Sequence, residues 1–157
     1  MDFQIFMMNI FIIGLLWVNI LETQIGIREQ TGNNDGVMVE EYLRAANLKK
    51  GVPWCAAFVT WGRKNYRLPV PKNHPGYVPS WIKLGKKSDN PKRGHIGLIW
   101  NQKLKRYAHI YVITKPLSRN SVETVEGNTN NLGSREGDGV YKKIRPVKTS
   151  LILQLDD

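Results

Sequence analysis

Hydrophobic residues follow three successive rhythms along the chain. Residues 3–21 (FQIFMMNIFIIGLLWVNIL) are almost continuously apolar. From 37 to 65 the apolar positions recur at helical spacing. Val37, Val39, Tyr42-Leu43 and Ala46 predict a short amphipathic helix over 37–48. Pro53 stands where a second helix begins, and WCAAFVTWGRKN (54–65) predicts that helix, apolar enough around its girth to be buried. TGNNDG (31–36) is a loop, because Gly, Asn and Asp tolerate left-handed backbone angles. Residues 66–94, rich in Pro and Lys, predict an irregular connection with a short helical turn at PSWIKL. Beyond 94 the period becomes two. HIGLIW (95–100), YAHIYVIT (107–114), SVETVEG (121–127) and GVYKKIRPV (139–147) predict strands joined by polar loops. Helices first and antiparallel strands second is an α+β pattern.

The apolar N-terminal stretch is long enough to approach the roughly 20 residues that span a bilayer. It lacks the basic start and small-residue cleavage site of a secretory signal, with no Lys or Arg before Arg28. It also runs without a linker into ILETQIGIRE, which reads as the end of an amphipathic helix. The division expected is therefore an apolar segment over 1–14, a folded domain over 15–150, and a C-terminal tail over 151–157. The first segment reads as a degenerate export signal or short anchor making weak membrane contact; a first helix of the core is the alternative.

Composition narrows the partners. Hydrophobic residues make up 41% of the 157 positions and charged residues 23%, the usage of one globular domain and not of a disordered chain. The net charge of +10 favours an anionic partner: nucleic acid, a membrane surface, or a bacterial wall with its acidic polymers. A single cysteine excludes an internal disulfide framework and a multi-cysteine metal cluster within one chain. His74, His95 and His109 have no metal-ligand spacing.

That one cysteine, Cys55, falls in the first turn of the predicted helix. Unsatisfied N–H groups and the helix dipole there favour an anion, and a thiol so placed favours its thiolate. Ala56 and Ala57 leave room for a substrate and Trp54 can wall a cleft. A buried, inert cysteine is the bland alternative. A thiolate nucleophile needs a base, and the base an orienting group. His74 lies in the Pro-rich loop without rigid support and reads as a solvated surface residue. His95 opens a strand. His109 lies within one, where alternation puts Tyr107, His109 and Tyr111 on one face and Ala108, Ile110 and Val112 on the other. On the next strand, alternation puts Glu126 and Asn128 on a common face, and either can accept from an imidazole N–H. Gly127 between them permits close backbone approach.

IGIREQTGNNDG (25–36), VEEYL (39–43), PWCAAFVTW (53–61), YAHIYVI (107–113), TVEGNTN (124–130) and GSREGDGVY (133–141) together resemble the CHAP family, cysteine- and histidine-dependent amidohydrolases/peptidases. The resemblance spans about residues 20–147, and PWCAAFVTW and TVEGNTN are its specific parts. It implies a papain-like fold with the nucleophile at a helix N-terminus packed on an antiparallel sheet. It implies Cys55 as nucleophile, His109 as base, Glu126 as the group orienting His109, and Asn128 as an accessory polar residue. GHIGLI (94–99) looks like the family's Gly-His-hydrophobic run, but the family's base lies on the strand just before the glutamate, which is the strand of His109. His95 stands where related sequences usually have Gly-Asp, a departure that removes no catalytic group.

The activity so implied is cleavage of an amide bond in bacterial peptidoglycan, as an N-acetylmuramoyl-L-alanine amidase or an endopeptidase. The chain would be a monomer of bacterial or phage origin, exported to the cell envelope or the extracellular space, or cytoplasmic before release if phage-encoded. No metal or organic cofactor is needed, and no nucleic-acid partner is expected. Backbone N–H groups at the start of the Cys55 helix would hold the oxyanion, with Gln24 or Gln30 as side-chain candidates by residue type. Two other classes compete: a catalytically inactive wall-binding module, and a basic nucleic-acid-binding domain using the Lys-rich loops at 83–93 and 102–106 beside Trp81 and Tyr107.

Overall fold

A computed structural model describes residues 16–130 and 137–156. The expectation for residues 1–14 falls outside this range, as does part of the connector following Asn130. Among the described residues, no helix is long and apolar enough to cross a membrane.

Helix α1 covers residues 16–22, α2 Val37–Ala45 and α3 Cys55–Asn65. Six strands follow: β1 Gly85–Lys87, β2 Ile96–Asn101, β3 Arg106–Ser118, β4 Ser121–Thr129, β5 Gly139–Pro146 and β6 Ser150–Leu155. They form one sheet in the order β1-β6-β2-β3-β4-β5, antiparallel throughout. The molecule is thus α+β, with both period-3.6 helices and all four period-two strands within a few residues of where the pattern puts them. The helical turn at PSWIKL is a 3-10 helix over Val78–Lys83, with Pro near its start.

The side chains of β3 alternate between two clusters. Ile110 and Val112 join Trp54, Phe58 and Tyr42 in the main core between sheet and helices, while Tyr111 and Ile113 join Val122 and Ile152 in a second cluster. The expected alternation fails below Ile110. The β2–β3 register shifts between Ile99 and Trp100, whose partners are His109 and Tyr107, so Ala108 is an extra residue in β3. Tyr107 consequently packs against the main core and not on the Tyr111 side.

The C-terminal residues require a correction. Residues 151–157 were expected to be a tail, yet Ser150–Leu155 is a strand paired on both edges, with β1 on one side and β2 on the other. Ile152, Leu153 and Leu155 are buried, and Arg63 at the end of α3, itself fully buried, donates from Nη2 to the Asp156 carbonyl at 2.8 Å. The short LIL run carries the apolar signal of a strand, but its partner β2 lies some fifty residues earlier and no hairpin cue marks the pairing. The domain also claims α1: Trp17, Val18 and Leu21 are buried, and Leu21 lies against Gly62 of α3 so closely that a Cβ there would sit 2.5 Å from it.

The packing that matters most for function is α3 against β4. A Cβ on Gly127 would lie 2.7 Å from the Trp54 ring and 2.8 Å from Phe58 Cβ, both fully buried. Only glycine lets the strand approach the first turn of the helix this closely. Gly127→Ala is therefore expected to cost about 1–3 kcal/mol through overpacking. Thermal or denaturant unfolding checks this; unchanged stability would mean the helix and strand can separate without loss.

Candidate active site

Helix α3 begins at Cys55, with Trp54 as its N-cap residue. Trp54 is held from three sides. Its backbone N–H donates to Asn128 Oδ1 at 2.9 Å, its carbonyl accepts from Phe58 N–H at 2.9 Å, and its indole Nε1 donates to Glu29 Oε1 at 2.8 Å. Among the described residues no side chain caps the helix, which leaves the N–H groups of its first turn for another acceptor beside the Cys55 sulfur. Cys55 is 7% exposed. Its Sγ lies 4.0 Å from the carbonyl oxygen of Ala108, the extra residue of β3.

His109 is the next residue along that strand. Its ring lines the same cavity as Cys55, and its Nε2 lies 2.8 Å from Glu126 Oε2. With Nε2 committed to the carboxylate, Nδ1 is the nitrogen left for the thiol. Glu126 has no solvent exposure. Thr124 Oγ1 donates to its Oε1 at 2.7 Å, and Arg145 donates from Nε to Oε1 at 2.8 Å and from Nη2 to Oε2 at 2.6 Å. The carboxylate thus accepts four hydrogen bonds, two from one guanidinium, the arrangement a buried charge requires.

The electrostatics follow. Burial alone would lower the pKa of His109, but the neighbouring Cys55 and the hydrogen-bonded Glu126 carboxylate, which favour the charged ring, outweigh it and raise it to about 9. Burial alone would raise the pKa of Glu126, but Arg145 and His109 hold it down at about 2. His109 titrates higher folded than its ordinary 6.5, so its charge contributes stability fully below that pH and loses it as pH rises through about 9. Glu126 is displaced downward from 4.5, so its contribution is present above that pH and is lost as pH falls toward about 2. Across neutral pH both groups are charged.

Three of the four residues singled out from the sequence therefore meet at one site: Cys55 and His109 on one cavity, and Glu126 bonded to His109. Asn128 lines the same cavity but turns elsewhere. Its φ is +55°, and the β4–β5 register shifts between Glu126 and Thr129, which ends the alternation that would have kept it on the face of Glu126. It holds the start of the Cys55 helix through Trp54, and its Nδ2 donates to Asn34 Oδ1 at 3.2 Å. Neither Gln24 nor Gln30 lines a cavity at Cys55; Gln24 Oε1 accepts from the Tyr42 hydroxyl at 2.7 Å. His95 is buried at the start of β2, where its Nδ1 accepts from Lys92 N–H at 3.3 Å and its backbone bonds Ile113. His74 is exposed as expected, but its loop is rigidly supported: the Pro75 carbonyl accepts from Thr60 Oγ1 and from the Trp81 indole.

Arg145 and Thr124 were not singled out from the sequence. Arg145 sits in KKIR, which reads as a solvated charge run, and only the β4–β5 register brings it to Glu126. No group of three or more His, Cys, Asp or Glu among the described residues could hold a metal ion.

Arg145→Gln is expected to destabilise the fold by roughly 3–5 kcal/mol, because it leaves a buried carboxylate without its counter-charge. Denaturant unfolding measures this, and a loss below about 1 kcal/mol would mean that water reaches Glu126. Compared with protein families, with characterised proteins and with solved structures, the chain matches none.

Proposed function

We propose that this protein is a papain-like cysteine hydrolase of the CHAP type that cleaves an amide bond of peptidoglycan. The observation carrying the reading is the position of His109, which shares a cavity with Cys55, the residue whose sulfur lies 4.0 Å from the neighbouring Ala108 carbonyl, and which is hydrogen-bonded to a buried carboxylate. That is the nucleophile–base–orienter relation of covalent amide hydrolysis. The peptidoglycan substrate rests on the resemblance of PWCAAFVTW and TVEGNTN to that family and on the charge of +10, which suits an anionic wall.

Cys55 attacks the amide carbonyl as the thiolate, forming a C–S bond while the carbonyl π electrons move to oxygen. N–H groups of the first turn of α3 hold that oxyanion. The tetrahedral intermediate collapses, the C–N bond breaks, and the amine leaves with a proton from the His109 imidazolium. Water then attacks the thioester and gives its proton to His109, the C–S bond breaks, and the acid product and thiolate are released. Glu126 keeps Nδ1 aimed at sulfur throughout and stabilises the imidazolium; Arg145 and Thr124 keep Glu126 in place.

Digestion of purified peptidoglycan, with mass analysis of the new termini, tests the activity and names the bond. Cys55→Ala is expected to abolish release of new amine termini. His109→Ala is expected to slow it by roughly 10³-fold or more. His95→Ala, once shown to be folded, should slow it by less than about tenfold. Equal release by Cys55→Ala and the intact protein would refute the reading, and a larger loss at His95 than at His109 would reassign the base.

A further inference from the structure

Cys55 sits at the junction of two cavities. One, of about 310 Å³, is lined by His109, Trp100, Asn101, Leu104, Asn128 and Arg145 among others. The other, of about 520 Å³, lies toward Leu48, Val52, Lys72, His74 and Tyr77. Pro53, Cys55, Arg106 and Ala108 belong to both, so the two form one groove across the sulfur. His109 lines only the first. In amide hydrolysis by a thiolate the base must reach the departing nitrogen, so the leaving amine occupies the His109 cavity. The acyl half must then extend into the larger one.

The two halves differ in charge. Among the described residues, no Asp or Glu lines either cavity. In the amine-side cavity, Arg145 is matched by Glu126. Arg106 stands at the junction of the two and Lys72 lines the acyl-side cavity alone; neither forms an ion pair with a carboxylate among the described residues. Arg106 spends one Nη1 bond on the Tyr107 carbonyl at 3.1 Å and lies 5.2 Å from the Tyr77 ring centroid, which fixes the guanidinium beside the groove. The wall opposite is firm. The Pro75 carbonyl takes two hydrogen bonds, and Gly76 packs so closely on Leu48 that a Cβ would meet it at 2.4 Å. A firm concave wall with unmatched cations is a site for a substrate carboxylate.

We propose that the acyl half of the substrate lies in the Lys72–Arg106 cavity and carries a free carboxylate that Arg106, assisted by Lys72, recognises. The proposal rests on the amide-hydrolase reading and adds the direction in which substrate lies and a specificity it must show. Peptidoglycan stem peptides provide the matched pair needed, since their side carboxyl groups can be free or amidated without other change.

Two measurements on the full chain separate this inference from the reading beneath it. The first needs no substrate: alkylation of Cys55 by iodoacetate and by iodoacetamide, which differ by one negative charge. The intact protein is expected to favour iodoacetate, and the double variant Lys72→Gln/Arg106→Gln to lower the iodoacetate-to-iodoacetamide rate ratio by roughly tenfold, the size of one charge-assisted hydrogen bond. The second is kcat/KM on soluble muropeptides, free or amidated in the acyl half. The acid form should be favoured by roughly tenfold or more, and the double variant should bring the two forms within about threefold, chiefly through KM. Arg106→Lys with Lys72 intact, keeping charge without the fork, should retain part of the preference and guards against misfolding of the double variant.

An unchanged alkylation ratio, or a preference that follows amidation of the leaving half, overturns the inference while cleavage itself upholds the hydrolase reading. A lowered alkylation ratio with no cleavage of either muropeptide supports the cationic cavity and overturns peptidoglycan as its substrate.

Discussion

A carboxylate without contact with water must have its acceptor positions filled and its charge opposed. Glu126 meets that demand with Thr124, both donors of one face of Arg145, and His109. The three donors come from β3, β4 and β5, so the pairing of these strands and the charge state of Glu126 depend on each other. This also constrains the chemistry. A carboxylate held ionised binds the imidazole through Nε2 and leaves Nδ1 facing a sulfur that arrives on a different element, the start of α3.

The second constraint is how the sulfur gets there. Gly127 lets β4 run against Trp54 and Phe58, and one residue later Asn128 turns into a left-handed conformation and accepts the Trp54 N–H. The strand that supplies Glu126 thus also anchors the helix that supplies Cys55. The extra residue at Ala108 completes the placement by bringing the β3 backbone to the thiol just before His109. Two irregularities of the sheet, at Ala108 and at Asn128, therefore both fall at the site, as bulges beside functional groups often do.

Those same irregularities mark where the sequence stops being readable. Period-two strands and period-3.6 helices are local, and their positions were legible. Cys55 at a helix start and His109 and Glu126 on successive strands were legible for the same reason. Alternation then misplaced Tyr107 and Asn128, because a single added residue reverses the face of everything beyond it and leaves no trace in hydrophobicity. Arg145 and β6 escaped for a different reason: both are defined by partners distant along the chain. An arginine beside two lysines looks solvated, and a six-residue run at the end of the chain looks like a tail, until β4 and β2 are set beside them. Edge strand β1, with two lysines in three residues, carries no apolar signal.

The central claim is that buried Glu126 keeps His109 charged and aimed at Cys55 across neutral pH. The most direct measurement is an NMR titration of the His109 ring in the intact protein and in Glu126→Gln. Titration near pH 9 in the intact protein, moving down by at least one unit in the variant, is the predicted result. An ordinary midpoint near 6.5 in the intact protein, or one that the Glu126 substitution leaves in place, would contradict it.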